Sequence, residues 1–346
     1  MNYALRPYFL AAILAVGAAA VAIAVVHAYD LPIRDPDGVA GPSYLRLPGA
    51  VALFVALDVV PRMIKRRGGL RDILRERYGP ERVGLVAMGL AVFYVSYVSY
   101  RNLKGALPFA RPEQHDRQLL NLDRLLAFGH DPGNLLHALL GTGIAAHLLS
   151  TVYLAFLAFV PLSLGAALVW SRRIWTGAFY VTALSLNWLL GALSYYLIPS
   201  LGPVFVRPDI VADLPRTGVT ALQQSLEQAR FDVLMNPHGT EEIAGVAGFA
   251  SLHVSIVFTA ALVAHRVGLP RVLRWALWVY FGATVVATIY FGWHYLVDDI
   301  AGVALGAAAV AIADRATQHV REGHELAPPE PAAPELVGSG SLRERA

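Results

Sequence analysis

The chain has 346 residues, 56% of them hydrophobic and only 15% charged, with a mean hydropathy of +0.51. Soluble domains run at about 45–50% apolar and about 25% charged, so this composition excludes a disordered chain, a nucleic-acid binder and most soluble enzymes, and points to an integral membrane protein. The formal net charge is +3 and cysteine is absent, which removes disulfides, iron–sulfur clusters, thiol catalysis and cysteine-ligated zinc.

A helix needs roughly 20 mostly apolar residues to cross the bilayer core. Eight segments meet that requirement: 8–28, 47–63, 83–101, 147–170, 175–199, 251–267, 272–291 and 294–314. Val26-His27-Ala28 resembles a signal-peptide cleavage site, but the first apolar run is long for a signal and favours a retained helix. The loop 62–82 carries Arg62, Lys65, Arg66, Arg67, Arg71, Arg75, Arg77 and Arg82. Basic short loops stay in the cytoplasm, so this loop, the Arg172-Arg173 turn and the turn with Arg266, Arg271 and Arg274 are expected on the cytoplasmic side of a plasma membrane. Strict alternation then puts both termini inside and 29–46, 102–146, 200–250 and 292–293 outside. Asp58, within the second span, is expected to pair with Arg62. Leu135–Ala146 is too short to span and reads as an interfacial or re-entrant helix. The segment 200–250, rich in Pro, Gly and acidic residues, is expected to cap the outer face. From about 322 the chain becomes a Pro, Ala, Glu, Gly and Ser tract without periodicity. The expected architecture is an all-α polytopic bundle: accessory helices and a basic loop over 1–80, a membrane domain over 81–315, and a disordered cytoplasmic tail over 316–346.

Three polar groups stand at the outer ends of different spans. The first is Lys104 with Arg111-Pro112, just past the third span. A planar guanidinium fork and a point-charge ammonium suit a phosphate; snorkelling to lipid headgroups is the plainer reading. The second is Ser251-Leu252-His253, opening the sixth span after Gly245, Gly248 and Ala250. A helix N-terminus favours an anion and a histidine passes protons near neutral pH; alternatively Ser251 is simply an N-cap. The third is His294 with Asp298, followed by Asp299 and Gly302. Positions i and i+4 share a helix face, so Asp298 is expected to hold one imidazole nitrogen and leave the other free to attack. Two carboxylates at the start of an apolar span are hard to explain structurally.

Lys, six residues, Arg-Pro, then Ser-x-His, then His-x-x-x-Asp resembles the three-part signature of the type 2 phosphatidic acid phosphatase superfamily, which includes lipid phosphatases and vanadium haloperoxidases. The resemblance covers about 100–310 and implies a six-helix catalytic core, metal-free phosphoryl transfer and no cofactor. It implies that His294 is the nucleophile, Asp298 its orienting carboxylate and His253 the proton donor and acceptor. Lys104, Arg111 and Ser251 would hold the phosphate oxygens. Two departures stand out: the usual Pro-Ser-Gly-His is Ala250-Ser251-Leu252-His253, and Thr288 stands six residues before His294, where an Ser-Arg pair is usual. Arg101 and Arg207 are candidates to supply the missing cation, with Asp299 in support. Both departures, and loosely the stretch Tyr195–Pro203, look more like the inositol phosphorylceramide synthase branch.

That resemblance implies an outer-leaflet enzyme acting on a lipid phosphate. With an alcohol or inositol acceptor it is a phosphotransferase; with water it is a lipid phosphate or polyprenyl (pyro)phosphate phosphatase. Two readings of another class compete: a transporter, which predicts charges at the midplane, and a non-catalytic lipid-binding protein with a degenerate site. His115, His130, His137 and His147 match no metal-site spacing and read as interfacial or structural.

Overall fold

The computed structural model describes residues 6–35, 37–38, 41–66, 69–171, 173–245 and 248–325. Thirteen α-helices follow one another: α1 Phe9–Ala28, α2 Ser43–Arg66, α3 Leu70–Arg77, α4 Pro80–Ala110, α5 Asp116–Leu126, α6 Pro132–Leu140, α7 Ile144–Trp170, α8 Ile174–Leu197, α9 Pro203–Val206, α10 Gly218–Met235, α11 Leu252–Arg266, α12 Arg271–Tyr290 and α13 Leu296–Glu325. Seven are long and apolar enough to cross a membrane, and α11 is a shorter apolar helix of 15 residues. The chain is an all-α polytopic membrane protein.

Helix α8 is the axis of the bundle. In its most apolar window 78% of residues are buried, against 22–39% in the other six long spans, which turn a face outward. It packs on α4, α11 and α13, while α1 lies on α4 and α2 on α7. In the bilayer there is little hydrophobic drive between helices, so close backbone approach and polar contacts hold the bundle together. The polar contact is Asn187 of α8, whose Nδ2 donates to Thr259 Oγ1 at 3.0 Å and whose Oδ1 accepts from Ser255. The close approach is on α13, where Gly302 and Gly306 lie on the Ser251 and Ser255 carbonyls of α11. A Cβ at Gly302 would stand 2.5 Å from the Ser251 oxygen. Gly302→Ala is therefore expected to cost about 1–3 kcal/mol and to lower the thermal midpoint in detergent; an unchanged midpoint would mean that the two helices are not held this closely.

Several boundaries differ from the sequence expectation. Helix α4 runs on through Lys104 to Ala110, because Arg101, Asn102 and Lys104 end the apolar run without ending the helix. Lys104 is thus on the helix, not beyond it. Helix α6 takes in the first half of the short apolar stretch, to Leu140, and Gly141 (φ 75°) separates it from α7, which takes the last residues. Helix α13 continues to Glu325, into the segment expected to be disordered; Thr317 is buried there and donates to the Ala313 carbonyl at 2.9 Å. The remainder of that tail, 326–346, lies outside the described residues. Asp58 does pair with Arg62, and also accepts from Tyr78 Oη at 3.0 Å and Arg77 Nε at 3.3 Å, tying α2 to the α3 segment.

The 200–250 segment contains a helix that its composition did not announce. Helix α10 starts at a capping box in which Thr217 and Thr220 satisfy each other's backbone N–H groups. At one end, Val219 N donates to Ser150 Oγ (3.2 Å) and Gln223 Nε2 to the Phe291 carbonyl (2.9 Å). Near its other end, Val233 shares a small cavity with Asn102 and Gly105 of α4. Helix α10 therefore crosses the end of the bundle where the polar motifs gather. Arg34 fastens the segment after α1 to the same cap, donating to the Glu242 carbonyl at 2.6 Å.

Candidate active site

Ser251 starts the site. Its backbone N–H donates to the Asp298 carbonyl at 3.0 Å, and its Oγ caps α11 by a long 3.5 Å bond from Val254 N. Two residues later comes His253, packed against Tyr153 (ring centroids 4.6 Å, nearly parallel) and Phe156 (4.1 Å). Trp293 stacks on the far side of Tyr153 at 5.1 Å. This apolar sleeve fixes the imidazole plane.

His294 follows on the turn between α12 and α13. It does not share a continuous helix with Asp298, since α13 begins at Leu296. The contact is made across the helix's first turn instead. Asp298 Oδ2 accepts from Tyr295 N at 3.0 Å and stands 3.4 Å from His294 Nδ1, leaving Nε2 without a partner among the described residues. The His294 and His253 rings lie 6.1 Å apart, and both His294 and Asp298 are buried. Lys104 reaches toward them from α4, with its ammonium 5.5 Å from the Tyr195 ring centroid and 6.0 Å from that of Tyr100. It lies within electrostatic range of His253, and Arg101 within range of Lys104.

Two of the remaining expected cations have other partners. Arg111 donates to the Tyr196 carbonyl (2.6 Å) and to Glu113 (3.2 Å). Arg207 is spent on Asp131 (3.1 Å) and Asp209 (2.6 Å). Arg101 packs against Gly245, at which an added Cβ would meet its guanidinium at 3.8 Å. At the position of the missing arginine, Thr288 donates to Asp299 Oδ2 at 2.8 Å, so a neutral hydroxyl meets a buried carboxylate there.

Sequence reasoning missed two residues, Asp116 and Asp123, on α5. Asp116 accepts from Leu201 N, Gly202 N and Tyr295 Oη at 3.0, 2.9 and 3.1 Å. Asp123 accepts from Leu296 N at 2.7 Å and Val297 N at 3.0 Å. Burial pushes the Asp123 carboxyl up to about 6, against the pull of the two N–H groups and with the Asp298 and Asp131 charges adding to the rise. Asp131 is held below the usual carboxylate range by Arg124 and Arg207. The i, i+7 spacing of Asp116 and Asp123 puts both on one face of α5, which was the available signal.

A family model described as the PAP2 superfamily matches residues 117–312, more than half of the chain. The chain belongs to the PAP2 superfamily. No curated protein and no solved structure matches it. The PAP2 match takes in Ser251, His253, His294, Asp298 and Asp299 and begins after Lys104 and Arg111. As a PAP2 superfamily member this membrane protein is a phosphatase-type enzyme. Among its described residues no group of three or more His, Asp or Glu side chains is arranged to hold a metal ion.

Proposed function

We propose that this PAP2 protein cleaves a phosphoester or phosphodiester bond of a membrane lipid through a phosphohistidine and passes the phospho-headgroup to an alcohol, in the manner of the inositol phosphorylceramide synthase branch. The observation that carries the mechanism is the His294 Nδ1–Asp298 Oδ2 contact of 3.4 Å with His253 beside it. Asp298 keeps the proton on Nδ1, so the lone pair on Nε2 attacks phosphorus. As the P–O bond to the leaving group breaks, His253 gives that oxygen its proton. His253 then takes the proton of the acceptor hydroxyl, whose oxygen displaces His294 from phosphorus. Lys104 and Arg101 neutralise the charge on the transferring group, and the N-terminus of α11 adds its dipole. Arg111 and Ser251 are the other proposed phosphate contacts, Arg111 after releasing Glu113.

Transfer rather than hydrolysis is supported by the Ala-Ser-Leu-His form of the second motif and by Thr288 in place of arginine. The basic 62–82 loop supports a plasma-membrane orientation with the site on the outer face and both termini in the cytoplasm. The decisive experiment incubates purified protein with lipid phosphates, lipid pyrophosphates and phosphoinositides, with and without inositol or diacylglycerol, and resolves products by mass spectrometry. A new phospholipid that forms only with acceptor is expected. Free phosphate without acceptor would make the protein a phosphatase. No product that depends on His294 would return weight to a transporter or a lipid-binding protein.

A further inference from the structure

We propose that Asp116 and Asp123 are positioning residues: from α5, a helix that carries no motif residue, they hold the His294 turn in its reactive geometry. The inference rests on the phosphohistidine reading and adds to it the part that sets the nucleophile's aim.

The first four N–H groups of a helix have no partner within it. In α13 two of them, Leu296 and Val297, are taken by a single carboxylate from another helix, with Asp123 Oδ2 on one and Oδ1 on the other. This is an N-cap supplied in trans. A carboxylate at that end also meets the positive pole of the helix dipole. The capped turn is the one that brings Asp298 to His294, so Asp123 fixes the backbone on which the pair is built.

Seven residues earlier, two helical turns along the same face, Asp116 does the same for the adjoining loop. It binds Leu201 and Gly202 N–H and the Tyr295 hydroxyl. Gly202 (φ 99°) lies so close to the Trp293 carbonyl that an added Cβ would stand 2.3 Å from it. Ser200 in turn accepts from Phe249 N through Oγ and from Gly248 N through its carbonyl, both just before Ser251. One carboxylate thus links the second motif, the third motif and the loop between α8 and α9. Asp116 and Asp123 are 4% and 3% exposed, and their partners are mostly backbone groups flanking the site rather than core side chains. Away from the two aspartates, α5 is apolar and exposed at Leu122, Leu125 and Leu126.

The acid limb of the activity profile follows. The groups facing Asp123 are Asp298 on α13, His294 on the turn, and Asp131 with its partners Arg124 and Arg207. Protonation would put an O–H where an N–H must point, so aiming is lost as pH falls through about 6. The stability contribution runs the other way: a carboxyl raised in the folded state favours folding at low pH and loses that contribution as pH rises through about 6. Loss of activity on this limb is therefore not acid unfolding driven by Asp123.

The test compares full-length wild type, Asp123→Asn, Tyr295→Phe and His294→Ala in the same detergent, using the lipid turned over best in the panel above. Asp123→Asn is expected to lower kcat about 100-fold with KM within about twofold, the cost of a small misplacement of reacting groups. Its acid limb near pH 6 should vanish. Hydrogen exchange should quicken at the Leu296 and Val297 amides and stay unchanged in α8 and the rest of α13. Tyr295→Phe removes one hydroxyl and keeps the fold testable should Asp123→Asn misfold; a kcat loss of about tenfold is expected, the size of one hydrogen bond to a charged group. Wild-type kcat in a folded Asp123→Asn or, if that variant misfolds, in Tyr295→Phe overturns the proposal. Exchange that quickens evenly along the chain also overturns it, since the role is then merely structural. Activity in His294→Ala would instead sink the phosphohistidine reading, and the local exchange result would still judge the clamp.

Discussion

His294→Ala is expected to reduce turnover at least about 1,000-fold while leaving the protein folded, because removing a covalent nucleophile removes both half-reactions at once. The imidazole contributes little to the bundle. It is buried, but among the described residues its ring has one polar contact, to Asp298, and the turn around it is held by backbone bonds: Trp293 N to the Thr288 carbonyl at 2.9 Å and Asp298 N to the Tyr295 carbonyl at 3.0 Å. The measurement is product formation per mole of protein in the lipid panel, with the thermal midpoint taken beside it. Phosphate covalently trapped on wild type after acid-free denaturation, and absent from the variant, is the companion result. Near-wild-type turnover in a folded His294→Ala would show that the nucleophile lies elsewhere.

Asp298→Asn is expected to lower kcat by about 10,000-fold, in line with the effect of neutralising the carboxylate that orients a catalytic histidine. Two things change at once. The carboxamide loses the charge that stabilises a cationic imidazole, and its NH2 can turn toward Nδ1 and select the wrong tautomer. The Asp298 main chain is not altered, so the 3.0 Å bond from Ser251 N to its carbonyl persists and the α11–α13 junction should survive. Pre-steady-state kinetics separates the outcomes. A slowed first phase with substrate affinity retained fits an orienting carboxylate; unchanged rates in both phases would reduce Asp298 to a bundle contact.

The membrane class and the bundle were legible in the chain because the bilayer imposes a simple rule: long apolar runs, helical throughout. The motif residues were legible for the same local reason. Ser251, His253, His294 and Asp298 stand close together in two short stretches, and each stretch adopts the turn or helix start that its own residues favour. Less legible were the ends of helices. Hydropathy marks where lipid stops, not where the backbone changes, so α4 continued past its apolar run and took Lys104 with it. The cap helix α10 was hidden in a polar segment whose structure depends on docking to Phe291 and Ser150.

By itself, then, the sequence determined what is encoded over a few residues: spans, capping serine, motif residues and their order. Tertiary structure alone decided which cations were spoken for and what holds the turn around His294. Arg111 and Arg207 look equivalent to Lys104 in a sequence, yet each found a carboxylate or carbonyl to bind, while Lys104 was carried on α4 toward His253. Asp116 and Asp123 carry no motif and look like the polar face of a surface helix; their meaning lies in N–H groups about 80 to 170 residues away in the chain. A carboxylate's role is set by which donors the fold presents to it, and such long-range partners leave no periodic mark that one sequence can display.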